Sequence, residues 1–247
     1  LTLSEECYEI SASFLSNSSN VRNNIKNVLK KKIDLNNNYV FKKNKTYLVR
    51  LNENLNLNNS IFGGCNPKSS AGRLDIFCRC ILNFSDEYEK IPLNYKGEMF
   101  IEITSRSFDI EFKKGDSLNQ MRLVYNEHVY ISDEDLRKIH SNSFLIFNQD
   151  NKKIDPILNN GLKISVDLSH INNTNAYVAK KDAPVLCYSK IKHHKIHDFW
   201  DEIKLKGNKM IIKKNHFYIL KSKEKIQIPG NMAGEMIPYD TGIGDFR

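Results

Sequence analysis

The stretch T-Y-L-V-R-L-N-E-N-L-N-L at residues 46–57 decides the fold, because it has the pattern of a long β-strand and a counterpart later in the chain. Residues 217–228 read F-Y-I-L-K-S-K-E-K-I-Q-I and align with it without a gap, so that Glu53 falls on Glu224. This run of apolar and charged matches predicts a tandem of two related β units.

The rest of the chain is also predicted to be mainly β, with a few short helices. Alternating and β-branched segments predict strands in the first half at 47–57, 74–82, 99–104, 108–112 and 121–125, and in the second half at 162–168, 176–179, 210–212 and 217–228. Short helices are predicted at 21–32, 132–140 and 198–203, and Ser132 is the predicted N-cap of the second. Many short strands separated by turn residues are typical of antiparallel barrels or jelly rolls.

The domain organisation that follows from the repeat has three parts. A first β unit covers residues 1–125, a connector with a short helix covers 126–160, and a second β unit covers 161–247. A chain of 247 residues can hold two cores of ordinary size. Because the second unit stops inside its own repeat, we expect this sequence to be part of a longer protein.

The composition predicts a cytoplasmic protein. The sequence shows no apolar run long enough to span a membrane and no secretory leader. Five cysteines, an odd number, with a lone C-x-C at Cys78 and Cys80, favour free thiols in a reducing compartment. That pair could form half of a soft-metal site, but two packed thiols are the preferred interpretation, since no second pair supplies the other ligands.

The net charge of +8 indicates an acidic ligand or partner. The lysines are spread through Asn-rich segments instead of being collected on one helix or beside aromatic side chains, which argues against nucleic acid. The run Lys30-Lys31-Lys32 is predicted to be a solvated loop edge. A nucleoside triphosphate satisfies the same charge balance and is the preferred ligand.

Residues 66–73, which read N-P-K-S-S-A-G-R, collect the groups that bind anions. A lysine supplies a point charge, an arginine supplies a planar fork of donors, and two adjacent serines add hydroxyl and N–H donors. A glycine between them lets the backbone pass close to a ligand. We predict a phosphate-binding turn, called the cradle below, with an ordinary polar turn as the alternative. Its candidate residues are Lys68, Ser69, Ser70, Gly72 and Arg73.

A carboxylate on an apolar strand is the second chemical feature. Glu102 lies between Ile101 and Ile103, so its side chain is predicted to point to the opposite side of the strand from theirs. Such a carboxylate is either paired with an arginine for structural reasons or held ready for proton transfer. Arg79 and Gln120 are further candidates for binding substrate.

The order of these motifs resembles that of the deoxyuridine triphosphatase (dUTPase) superfamily. K-S-S-A-G-R is followed by I-P-x-x-Y-x-G-x-x-x-x-E, which ends at Glu102, and then by G-D-S-L-N-Q-M at residues 115–121. Within the superfamily the pattern is most similar to the dCTP deaminase family, in the long bacterial form built from two units. The resemblance covers nearly the whole chain and implies two dUTPase-like β-barrel or jelly-roll units.

The resemblance implies hydrolytic deamination of dCTP to dUTP and ammonia, without a catalytic metal. By the family pattern, Glu102 would activate water and pass protons to the cytosine N3 and the leaving amine. Ser69 and Arg73 would position the water and stabilise the tetrahedral intermediate. Lys68 and Ser70 would hold phosphates.

Expectations for cofactors and partners follow from the same resemblance. Mg²⁺ is expected only on the substrate triphosphate. Zinc is not expected, because the sequence contains neither the H-x-E nor the P-C-x-x-C pattern of zinc-dependent deaminases. The expected partners are dCTP and further copies of this chain, in a homo-oligomer with a trimer as the default, and neither nucleic acid nor a membrane.

Two departures from the family pattern leave the catalytic carboxylate open. Pro92 stands in the turn before the Glu102 strand, where single-unit enzymes carry an Asp that holds the deoxyribose. The second unit has Tyr239-Asp240-Thr241 in place of the cradle, and its catalytic strand would lie beyond Arg247. A composite site, in which Glu102 is only structural, is therefore an alternative.

Two other functions also stay open at this point. The first is a dUTP diphosphatase, or a bifunctional enzyme that deaminates dCTP and also releases pyrophosphate. The second, from another class, is a regulatory module that binds a nucleotide without turning it over.

Overall fold

The computed structural model describes residues 1–58, 60–127, 130–169, 176–203 and 209–237, and within these ranges the chain is mainly β. The prediction of a mainly β chain with few short helices is confirmed. The strands are β1 (Leu3–Ile10), β2 (Leu29–Asp34), β3 (Tyr39–Phe41), β4 (Thr46–Asn56), β5 (Ile61–Pro67), β6 (Ile76–Leu82), β7 (Lys90–Ile91), β8 (Lys96–Ser105), β9 (Ile110–Phe112), β10 (Asn119–Tyr125), β11 (Ile146–Phe147), β12 (Ala176–Ala179), β13 (Leu186–Cys187), β14 (Trp200–Glu202), β15 (Tyr218–Leu220) and β16 (Lys225–Ile226). The helices are α1 (Val21–Val28), α2 (Ser69–Gly72), α3 (Asp133–Ser143) and α4 (Ile196–Phe199).

The largest sheet has five strands in the order β2-β1-β4-β8-β6, and each neighbouring pair is antiparallel. Its long central strands β4 and β8 contain most of the segments 47–57 and 99–104 that the sequence predicts as strands. The smaller sheets have the orders β10-β5-β7, β13-β9-β3, β14-β12-β15 and β11-β16.

Apolar side chains form a core on each face of the five-stranded sheet. Ile101 and Ile103 of β8 belong to the larger cluster, called the main core here, together with Cys78 and Cys80 of β6. The next residues along β8 point the other way, because side chains alternate across a strand. Phe100 therefore belongs to a smaller cluster on the opposite face, called the second core. Its buried members are Tyr8, Ile10, Val21, Ile25, Leu48, Ile81 and Phe100.

The helix predicted at 21–32 is correct only in its first part. Its N-terminus is capped by the Asn20 side chain, which accepts a hydrogen bond from the Asn23 N–H at 2.9 Å, and the helix ends at Val28. The chain then continues as β2, which pairs with β1. In the sheet the backbone of β2 forms hydrogen bonds with β1 and the Ile33 side chain is buried, and these contacts are more favourable than another helical turn. Lys30–Lys32 are exposed as predicted, but they lie on an edge strand, where lysines oppose pairing with other chains.

The strands predicted in the second half are only partly confirmed. β12 matches 176–179, whereas 162–168 contains isolated bridges only and 210–212 forms no strand, so these two predictions are wrong. The predicted strand at 217–228 is split into β15 and β16. An apolar run becomes a strand only where a neighbouring strand supplies hydrogen-bond partners, and a single sequence does not show that neighbour. The internal duplication stays a prediction.

The helices of the second half also differ from their predictions in extent. Ser132 caps α3 as predicted, since its hydroxyl accepts a hydrogen bond from the Asp135 N–H at 3.1 Å. The helical turn predicted at 198–203 lies at Ile196–Phe199, and β14 follows it. Within the described ranges, none of the helices has the length and apolar character needed to cross a membrane.

Contacts between Cα atoms divide the chain into two compact units that are discontinuous in sequence. The first consists of Leu1–His128, Val178–Asp201 and Lys213–Phe217. The second consists of Val129–Tyr177, Glu202–Ile212 and Tyr218–Arg247. Because these units are not continuous in sequence, they do not test the predicted boundaries at 125/126 and 160/161, which stay a prediction. Part of the second half of the chain folds with the first unit.

The centre of β8 should carry much of the stability of the first unit. Ile101 is fully buried there, so Ile101→Ala removes a core side chain and should lower the free energy of unfolding by about 2–5 kcal/mol. Leu123→Ala, at a β10 side chain that is 43% exposed, is the control and should change it by less than about 0.5 kcal/mol. Urea denaturation measures both, and equal effects would contradict the described core.

Candidate active site

The cradle lies between β5 and β6, where the chain makes a single helical turn. The sequence predicts a turn here, and the structure shows that it is the short helix α2, entered through the extended residue Lys68. The Lys68 N–H donates to the Leu118 carbonyl oxygen at 2.8 Å, and Ala71 is fully buried in the main core. These two contacts hold the backbone of the cradle against the body of the first unit.

The polar groups of the cradle point outward. Ser69, Ser70 and Arg73 are exposed and Lys68 is half-buried. No hydrogen bond or ion pair of the Lys68 or Arg73 side chain is found with any described residue. A Cβ atom added at Gly72 would meet nothing within 4 Å, so the fold itself does not require glycine at this position. The cradle is therefore preassembled in its backbone, with both cationic groups available to an anion.

Tyr188 is a cradle residue that the sequence analysis missed. Its hydroxyl donates to the Ser117 carbonyl oxygen at 3.0 Å and lies 3.4 Å from the Ser70 hydroxyl oxygen, although Ser70 is 118 residues away in sequence. It reaches the cradle because β13, just before it, pairs in parallel with β9 of the first unit. No local pattern around Tyr188 signals this contact, which depends on a pairing between distant segments.

Glu102 is buried on the opposite face of the five-stranded sheet from the main core, as the alternation around it predicts. It is 1% exposed and lies directly across the β6–β8 pair from Arg79. The Arg79 Nε donates to Glu102 Oε1 at 3.0 Å. This oxygen is therefore paired as in the predicted alternative, in which a buried glutamate pairs with an arginine. The other oxygen, Oε2, is buried and has no hydrogen-bond partner among the described residues.

Arg79 is held in place by aromatic rings. Its guanidinium carbon lies 3.6 Å from the ring centroid of Tyr88 and 5.1 Å from that of Phe77, distances at which the positive charge is attracted to the ring faces. In this position Arg79 contacts the carboxylate of Glu102. Its predicted role in binding substrate stays a prediction.

The predicted site residues form two groups in the described chain. Lys68, Ser69, Ser70, Gly72 and Arg73 lie together in the cradle, whose Ala71 packs into the main core, while Glu102 and Arg79 face the other side of the sheet. Gln120 is exposed on β10, opposite Asn66 of β5. No described hydrogen bond or ion pair links Glu102 to Ser69 or to Arg73. The carboxylate and the cradle are therefore separate in a single chain.

A partly buried carboxylate, Glu89, lies directly before β7 and was also missed. Its oxygens accept hydrogen bonds from the Cys80 N–H at 3.0 Å and from Asn119 Nδ2 at 3.2 and 3.3 Å. Burial raises the pKa of Glu89 from the usual 4.5 to about 7, although these hydrogen bonds oppose the shift. Asn119 Oδ1 is buried without a partner among the described residues. Neither residue stands in a sequence pattern that marks it.

The cysteines pack as thiols. Cys65, Cys78 and Cys80 are buried in the main core, and burial raises the pKa of the Cys78 thiol to about 12. All five cysteines are free. Within the described ranges no group of three or more His, Cys, Asp or Glu side chains could hold a metal ion. The preferred interpretation of the C-x-C as two packed thiols is confirmed.

The second unit's counterpart of the cradle, Tyr239-Asp240-Thr241, lies outside the described residues, as does Arg247. The composite-site alternative therefore stays a prediction.

The structure defines a mainly β protein in which a short turn between two strands exposes two cationic side chains. The family model described as the N-terminal domain of 2'-deoxycytidine 5'-triphosphate deaminase matches residues 1–127, and the model of the C-terminal domain matches residues 132–247. The chain belongs to the dCTP deaminase family.

A solved structure supports the same assignment. The crystal structure of 2'-deoxycytidine 5'-triphosphate deaminase from Agrobacterium tumefaciens is similar to this chain with a TM-score of 0.91 and 31% sequence identity. The match covers 99% of this chain and 72% of that one. Comparison with curated protein sequences gives no match.

The raised pKa of Glu89 should make stability depend on pH. The folded state holds the Glu89 proton between pH 4.5 and about 7, where the unfolded state has released it, so the free energy of unfolding should fall as pH rises through this window. The loss is at most about 3 kcal/mol. In Glu89→Gln this fall should disappear, which urea denaturation at pH 5 and pH 8 would show. An unchanged pH dependence in the variant would contradict the assignment.

Proposed function

We propose that this protein hydrolyses the exocyclic amine of dCTP to give dUTP and ammonia, with Glu102 as the catalytic carboxylate and no metal at the base. Family membership supports the substrate and the reaction. The observation that supports the role of Glu102 is its oxygen Oε2, which is buried with no partner among the described residues. A buried oxygen without a hydrogen bond costs free energy, so a purely structural ion pair does not account for it.

The two oxygens of Glu102 have different tasks in this mechanism. Oε1 is held by Arg79, which fixes the orientation of the carboxylate. Oε2 accepts a proton from the attacking water and delivers it to N3 of the base. The carboxylate then takes the proton of the new C4 hydroxyl group and passes it to the amine, so that the C4 carbonyl forms and ammonia leaves. Because Glu102 is 1% exposed, we propose that the bound nucleotide moves the Arg79 guanidinium off the Tyr88 ring and opens a path to Oε2, while Arg79 keeps its contact with Oε1.

The cradle supplies the positive charge for the triphosphate. Lys68 and the turn at Ser69 and Ser70 hold phosphate oxygens, and Gly72 leaves room for the ligand to approach the backbone. Ser69 and Arg73 also lie next to the reacting base, where they orient the water and stabilise the tetrahedral intermediate. Mg²⁺ would be held by the phosphate oxygens of the substrate, where it would neutralise negative charge, and we assign it no role at the base. All five cysteines carry free thiols, which is typical of a reducing compartment, and we place the enzyme in the cytoplasm.

The active site is completed by a second copy of the chain. Glu102 faces away from the main core on which the cradle of its own chain rests, so the two halves of the site come together only if a cradle from one copy meets a Glu102 from another. Closed symmetric contacts between copies provide this arrangement, and we propose a trimer, as the resemblance to the dUTPase superfamily implies.

Glu102→Gln should lower the rate of ammonia release from dCTP by about 10²- to 10⁴-fold, since the amide cannot accept the proton of water. The control is Glu9→Gln, which alters another buried glutamate of the same sheet, paired with Lys45 at 2.9 Å, and should leave turnover unchanged. Ammonia and pyrophosphate are measured together with dCTP, dUTP and CTP as substrates.

Each alternative function gives a different result in that assay. Pyrophosphate from dUTP would indicate a diphosphatase or a bifunctional enzyme, and tight dCTP binding without any product would indicate a regulatory module. Near-normal turnover of Glu102→Gln would remove Glu102 from catalysis and would favour the composite site.

Subunit complementation tests the shared site. Arg73→Ala and Glu102→Gln should each be inactive alone, but after mixing and exchange of subunits about a quarter of the sites should combine an intact cradle with an intact Glu102. Ammonia release should then recover to about that fraction of the wild-type rate. No recovery after proven subunit exchange would place cradle and carboxylate in one chain.

A further inference from the structure

We propose that Tyr188 and Ser70 form a strut that positions the cradle, with Ser70 anchoring the turn through its hydroxyl instead of donating that proton to a phosphate. This inference rests on the proposed function, and it assigns the positioning role to a residue matched by the C-terminal family model. Tyr188 belongs to the segment Val178–Asp201, which is part of the first compact unit.

The donor count at Tyr188 determines the direction of these hydrogen bonds. A tyrosine hydroxyl has one proton, and the Ser117 carbonyl oxygen, 3.0 Å away, can only accept. The Tyr188 proton therefore goes to Ser117, which leaves the Tyr188 oxygen as the acceptor and the Ser70 hydroxyl as the donor of the long contact at 3.4 Å. Ser69 is then the serine of the cradle whose hydroxyl proton is available to the ligand.

The position of Tyr188 makes this contact a support for α2. Its ring packs at the edge of the main core and lies 5.2 Å from the ring of Phe112. The loop before β10 offers two successive carbonyl groups, of which Ser117 accepts from Tyr188 and Leu118 accepts from the Lys68 N–H. The strut thus ties the exposed side of α2 to the same loop that holds its first residue.

A tied cradle binds an anion with a smaller loss of conformational entropy than a mobile one. Without the strut, α2 would be held by Ala71 and by the Lys68 N–H, while its serines would be free to move. The chemical step does not use the strut, because neither hydroxyl contacts Glu102. The expected effect is therefore on the KM for dCTP and on its dissociation constant, with little change in kcat.

The test is a double-mutant cycle of Tyr188→Phe and Ser70→Ala, read by ammonia release and by calorimetric binding of dCTP. Tyr188→Phe keeps the ring and removes only the hydroxyl. Each single variant should raise KM and the dissociation constant by about 3- to 10-fold, and the double variant should be no worse than either single one. Ser69→Ala in the Tyr188→Phe background should add a further loss, since Ser69 acts on the ligand directly.

Tyr47→Phe is the matched control. The Tyr47 hydroxyl is buried and accepts a hydrogen bond from the Lys42 N–H at 3.1 Å, with no contact to the cradle among the described residues. Its removal should lower the midpoint of thermal unfolding but leave KM unchanged. If Tyr188→Phe behaves in the same way, Tyr188 has only a structural role and the strut is wrong.

Two further outcomes separate the strut from the proposed function. Additive effects in the double variant would overturn the strut, because the two hydroxyls would then act independently on the ligand. If the wild type binds dCTP but releases no ammonia, the proposed function fails, and the calorimetric cycle still decides on the strut. If the wild type does not bind dCTP at all, both proposals are overturned.

Discussion

The antiparallel pairing of β6 with β8 is the constraint on which the rest of the structure depends. It sets Arg79 directly across from Glu102 and, by alternation, turns Cys78, Cys80, Ile101 and Ile103 into the main core. A slip of one residue would exchange the faces of the slipped strand and place its charged residue in the main core. The apolar side chains of the main core therefore determine the position of the buried carboxylate, and the ion pair contributes chiefly to its orientation.

The energetics of this pair explain why one oxygen matters more than the other. A buried ion pair gives little net stability, because the cost of removing both charges from water offsets their attraction. Arg79 reduces that cost by stacking on Tyr88 and by staying partly exposed, and it compensates only Oε1. Oε2, which has no partner among the described residues, is a local loss of stability of the kind found at functional sites. The same sheet thus carries the main core on one face and, under the proposed function, the catalytic carboxylate on the other.

The second half of the chain adds support to the first. Although the family models divide the chain near residue 130, the segment Val178–Asp201 packs with the first unit, and Tyr188 of that segment contacts Ser70 of the cradle. Phe199 is buried in the same main core. The cradle is thus supported by a segment of the chain that the C-terminal family model matches.

The sequence by itself determined the features that depend on local chemistry. The alternation in 46–57 and around Glu102 predicts which side chains face the core, since the period of a strand is two residues, and the donors of residues 66–73 mark the cradle without any knowledge of the fold. Ser132 at the start of α3 was also predictable, because an N-cap acts within one turn.

The tertiary structure alone decided the features that depend on distant partners. The end of α1 at Val28, the absence of strands at 162–168 and 210–212, and the contact of Tyr188 with the cradle all depend on which strand lies alongside. The raised pKa of Glu89 likewise comes from its burial in the folded chain. Hydrogen bonds and burial between remote segments are properties of the folded chain, and no pattern within a short window of residues determines them.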